Sequence, residues 1–151
     1  MILDERTEFC DATALNTGGA NTYLLGDQID LGSVARDVGN GQPLYLVIQA
    51  AANITAGASG TVQFHLASDD TASISTSTST RHFSTAVLDS AGGIAAGTVL
   101  AAVALPMEGL AYERYLGILQ TTAVAAITAG SINAFLTPDV AKWKAYPDAI
   151  N

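Results

Sequence analysis

The chain has 151 residues, a single cysteine and a net charge of -8 on only 13% charged side chains. That is the length of one domain able to bury its core without staples. The lone cysteine excludes an internal disulfide, no Cys/His spacing suits zinc, and the shortage of positive charge disfavours a nucleic-acid partner.

Asp4, Glu5, Arg6 and Glu8 interrupt the first residues, so no secretory signal is read there. No apolar run approaches the ~18 residues of a membrane span, and a reducing cytoplasm is the expected place of synthesis. A charged fraction of 13% is well below the roughly 25% of an ordinary domain. The surface must then be built from Thr, Ser, Ala and Gly, which suits a protein packed against neighbours.

Residues 1–20 read as an extended N-terminal arm, with Cys10 an inert small apolar residue and Gly18-Gly19 marking a loop. Residues 21–25 predict a short strand, and 29–42, with Gly32, Gly39 and Gly41, predict a loop closed by Asn40-Gly41. Residues 43–51 and 61–68 predict two core strands joined as a hairpin, because no Asp, Glu, Lys or Arg lies between Pro43 and Ser68. In the first arm Leu44, Leu46 and Ile48 oppose Tyr45, Val47 and Gln49, apolar on both sides, so both faces should be covered. The Ser/Thr run at 71–80 reads as a mobile loop or exposed edge.

Further strands are expected at 81–88, 98–105, 114–122 and 130–136, with Pro106 and Pro138 as stops. Seven or eight short strands and no helical period imply an antiparallel β-sandwich or jelly roll over residues 21–138. Residues 139–151 read as an extended tail. There Trp143 and Tyr146, flanked by Lys142 and Lys144, either anchor onto a partner or fold back over one open end of the sandwich.

Enzyme signatures are sparse. His65 and His82, the two histidines, both fall in predicted strands with no triad spacing. Asp69-Asp70 offers two carboxylates at a strand end, but solvated turn carboxylates explain them better than a calcium ion. A hydrolase would need clustered acids, for which Glu108 and Glu113 are the candidates. A carbohydrate-binding module, the main alternative, would need Tyr45, Tyr112 and Tyr115 aligned on one exposed face.

Several segments, in order, resemble the small capsid cement (decoration) proteins of tailed bacteriophages, the group typified by a Bordetella phage. The resemblance rests on Met1-Ile2-Leu3-Asp4, Phe9, Ala14-Leu15, Ile29-Asp30-Leu31-Gly32 and Arg36-Asp37-Val38-Gly39-Asn40-Gly41. It continues through residues 43–49, Ser68-Asp69-Asp70, Leu105-Pro106, Arg114-Tyr115-Leu116 and residues 128–136, and departs at Thr13 and after Val140. It implies a jelly-roll protein without enzymatic activity or cofactor, on the outside of the phage head between copies of the major capsid protein. It also implies a small homo-oligomer, a dimer ahead of a trimer, with no nucleic-acid or membrane partner. Under that reading Met1, Ile2, Leu3, Phe9, Trp143 and Tyr146 are the expected capsid or self-association contacts.

Overall fold

The computed structural model describes residues 5–32, 43–106 and 109–140, and among them nine strands form two antiparallel sheets. They are β1 (Glu8–Ala14), β2 (Asn21–Asp30), β3 (Tyr45–Ala56), β4 (Thr61–Asp69), β5 (Thr80–Ser84), β6 (Leu88–Asp89), β7 (Val99–Ala104), β8 (Tyr115–Ala123) and β9 (Ile127–Thr137). One sheet is ordered β1-β9-β3-β7 and the other β2-β8-β4-β5, with β6 beside the start of β4. The pairs are nested: first with last, second with next to last, β3 with β7 and β4 with β5. The chain is thus one long antiparallel ribbon rolled over itself, a jelly roll, which closes all but short edges.

Alternation decides which side of each strand meets the core. Leu46, Ile48 and Ala50 of β3 face Val62, Phe64 and Leu66 of β4 across the interior, joined by Leu116, Ile118, Ile132, Ala134 and Leu136. Burying a Phe or Leu side chain contributes about 1.5–3 kcal/mol, so this layer dominates stability. Val47, on the opposite side of β3, is also fully buried beside its register partner Phe135, as expected for an arm covered on both faces.

Four expectations need correction. The two core arms do not pair as a hairpin; β3 and β4 lie in different sheets, and residues 57–60 arch between them. Alternation alone cannot distinguish the two, since both present one apolar face. Hydrogen bonds decide for the arch: Gly57 N–H reaches the Ala126 carbonyl (3.0 Å), and the Gly60 carbonyl accepts Ser90 N–H (3.1 Å) and Ser90 Oγ (2.9 Å). Residues 8–14, read as part of an arm, are the edge strand β1 paired with β9. Phe9, expected as a surface contact, is 1% exposed inside the core, because a bulge lets it and Cys10 both face inward. The Ser/Thr run is built rather than loose, as described below. Met1, Ile2, Leu3, Trp143 and Tyr146 lie outside the described residues.

Two contacts join the sheets along the β1/β2 side. Gly26, at φ 62°, sits against the Phe9 carbonyl and Cys10 Sγ, where no side chain fits. Gln120, fully buried, receives Asn16 N–H (2.8 Å) and donates to the Asn16 carbonyl (2.9 Å) and Thr122 Oγ1 (2.8 Å). That amide satisfies the backbone of the β1–β2 loop and holds it on the neighbouring sheet.

Candidate functional site

The strand registers bring many of the sequence's charged residues to one end of the sandwich. In one sheet Asp30, Tyr115 and Asp69 finish level with one another; in the other, Tyr45 aligns with Thr137 and Ala104. The strand ends leading into residues 1–4, 33–42, 107–108 and 141–151 all lie here.

Each acid at this end has a distinct task. Asp30 takes Arg114 in a two-pronged pair, Nε to Oδ1 and Nη2 to Oδ2, both 2.9 Å. Arg114 also lies over the Tyr115 ring, 4.8 Å from its centre. With both partners exposed, this pair contributes orientation more than stability. Asp69 accepts Ser75 N–H on Oδ2 (2.9 Å) and Thr71 N–H on Oδ1 (3.1 Å). Those donors, Ser75 first, hold its carboxyl below the usual range. The Asp69 that sequence alone offered as a cation ligand therefore closes the 70–75 turn. Among the described residues no three His, Cys, Asp or Glu side chains group to hold a metal ion. Glu113 is pushed the other way, first by burial and then by repulsion from Asp70 and Asp69. Among the described residues, Asp69, Asp70 and Glu113 give this end an excess of negative charge.

The loop after β4 folds over the outer face of its own sheet. Ile74 is 3% exposed and packs on Ala67 and Leu119, with Leu24 and Tyr115 around it. It fits because residue 117 is glycine: a Cβ there would stand 2.6 Å from Ile74 Cδ1. A single isoleucine within TASISTSTST was the available signal, and a composition reading passes over it.

Both histidines meet serines. His82 Nε2 is 2.7 Å from Ser68 Oγ, which also accepts Glu113 N–H (3.1 Å). His82 stacks on Tyr112 at 3.9 Å between centroids, and the Tyr112 hydroxyl donates to the Pro106 carbonyl (2.8 Å). Burial lowers the His82 pKa and raises that of Tyr112 to about 12. Ser68 is fully buried. His65 bridges Ser84 Oγ (Nδ1, 2.7 Å) and Thr121 Oγ1 (Nε2, 2.9 Å), and Thr121 continues to Thr22 Oγ1 (2.9 Å). The result is a hydrogen-bonded row of polar side chains across all four main strands of that sheet. Ser84 is exposed, but the second ring nitrogen of His65 meets a hydroxyl rather than a carboxylate, and Ser68 is buried, so neither pair reproduces the serine–histidine–acid set of acyl transfer.

The tyrosines do not share a face. Tyr45 belongs to one sheet's outer side, Tyr115 to the other's, and Tyr112 is taken up by His82. Glu108 lies outside the described residues. Cys10 is buried and its thiol is raised to about 11, chiefly by that burial, which leaves it unreactive. No helix of the described residues is long and apolar enough to cross a membrane.

One family model, Bbp16, matches residues 9–136, from the start of the β1 core contact to the last residue but one of β9. No curated protein matches the chain.

Proposed function

The chain belongs to the Bbp16 family, a Bordetella phage protein family, and from that premise we propose that it is a cement protein of the phage head. It sits on the outside of the shell between capsomers of the major capsid protein, as a homo-oligomer, and raises the free energy needed to rupture the lattice. It runs no reaction and needs no cofactor; Ser68 is buried, and His65 spends its second ring nitrogen on Thr121 rather than on a carboxylate, which supports that reading. Nucleic acid is not its partner, since the charge balance is -8.

The observation that carries the proposal is the asymmetry of the sandwich. One end collects the strand ends leading to both termini, to residues 33–42 and to 107–108, together with Asp30, Asp69, Asp70 and Glu113. We assign that end to the shell. The segments that continue from these strand ends reach the lattice surface, while the carboxylates select a basic patch and set the register. Weak contacts repeated over many copies then act together.

The test is co-sedimentation with phage heads before and after expansion. The chain is expected to pellet with expanded heads and stay in the supernatant with unexpanded ones. Because Phe9 is core, a truncation that probes the N-terminus must stop before β1. A chain lacking residues 1–4 should keep its β spectrum and lose most head binding. Full binding by that truncated chain would remove the N-terminus from the contact, and no binding by the intact chain would overturn the proposal.

A further inference from the structure

Sheet edges attract other strands, and folded proteins guard them with charge, proline or bulges. Three sides of this sandwich are guarded. β1 carries Glu8 and Asp11 and two register shifts; β2 carries Asp27 and Asp30 and a bulge at Gly26. β5 carries Arg81 and a register shift, and β6 carries Asp89. The fourth side, β7, has none of these over its last four residues. From Ser90 to Pro106 the chain holds no charged residue, and from Ala101 to Ala104 the pairing with β3 is unbroken.

β7 ends its sheet, with no described strand beyond it. Leu105 N–H bonds the Leu44 carbonyl (2.8 Å), so alternation turns the N–H and C=O groups of Ala104 and Ala102 to the open side. Both alanines are exposed, and their methyl groups hide little backbone. Val99 is 37% exposed, and Leu100 and Val103 are half-buried at the core's margin.

We propose that β7 is the self-association edge: two copies pair β7 to β7, antiparallel about a two-fold axis, and fuse their four-stranded sheets into one. A second copy is the fitting occupant for two reasons. Antiparallel pairing about a two-fold is self-complementary, so one uncharged edge supplies both halves. Copies carrying a net charge of -8 repel one another, and β7 is the edge where they meet without opposing like charges. The strand pair also covers the half-open margin at Leu100 and Val103. This refines the self-association in the reading above, but its test involves no phage head, so the two fail separately.

The experiment is sedimentation velocity on the full chain at micromolar concentrations, with circular dichroism as the check on folding. The natural chain should sediment as a dimer. Ala102→Lys, which opposes two ammonium groups across the two-fold, should sediment as a monomer with an unchanged spectrum. Asp11→Lys on the guarded β1 edge should remain dimeric. Should Ala102→Lys fail to fold, single cysteines at 99, 102 and 104 replace it, and oxidation should give a covalent dimer through at least one; buried Cys10 stays out of the reaction. A natural chain that is monomeric overturns the proposal. So does a dimer that is unmoved by Ala102→Lys, or one linked by none of the three cysteines.

Discussion

Gly26→Ala is expected to destabilise the domain by about 2–5 kcal/mol, whereas Gly19→Ala stays within roughly 0.5 kcal/mol of the natural chain. At φ 62° an alanine already costs about 1–2 kcal/mol. Its Cβ would then fall on the Phe9 carbonyl oxygen and 2.7 Å from Cys10 Sγ. The obstacle is backbone, and β1 cannot retreat without pulling Phe9 and Cys10, each 1% exposed, out of the core. Overpacking of that kind adds about 1–3 kcal/mol. At Gly19 a Cβ meets nothing within 4 Å. Urea midpoints at constant slope measure both. Equal midpoints for the two variants would mean that β1 and β2 are not closed upon each other as described.

Stability is also expected to fall steeply as pH drops from 6.5 to 4, because His65 is neutral in the folded chain. Burial, then Arg81, lowers its pKa from 6.5 to about 4. Below 6.5 the unfolded chain takes up a proton that the folded chain refuses. The stabilisation is therefore complete above 6.5 and lost on acidification, at about 1.4 kcal/mol per unit, until the folded group titrates near 4. The total is on the order of 3 kcal/mol. His82 is lowered by burial as well and acts in the same direction. Glu113, raised, opposes them slightly at the acid end, and Asp69, lowered, adds its loss only below its ordinary value of 3.8. His65→Gln isolates the histidine: its unfolding free energy should be lower at pH 7 and flatter between 6.5 and 4.5. Identical slopes for the variant and the natural chain would contradict the buried, neutral ring.

The two predictions rest on features of unequal visibility in the sequence. Strand content was legible because short alternating runs between Gly and Pro signals admit few other readings, and the absence of charge from Pro43 to Ser68 marked the core. Connectivity was not. A β-arch and a β-hairpin place the same apolar face inward, and only long-range pairing with β9 and β8 separates them. β1 was hidden because Phe9 and Cys10 are adjacent and both buried, which a bulge permits and strict alternation forbids. At the candidate site, sequence gave the Asp69-Asp70 pair but not its use, since the partners of Asp69 are backbone N–H groups. The Arg114–Asp30 pair joins residues far apart in the chain, and no local spacing announces it.

The family assignment and the lopsided sandwich together make cementing the central claim, and the strength of the shell tests it most directly. A protein that binds only the assembled lattice must stabilise it by mass action. Expanded, DNA-filled heads stripped of this protein should release their DNA at a lower temperature than decorated heads. Adding the purified chain back should restore the higher temperature and then saturate at a fixed number of copies per head. A release temperature that stays the same while the chain is bound to saturation would contradict the account.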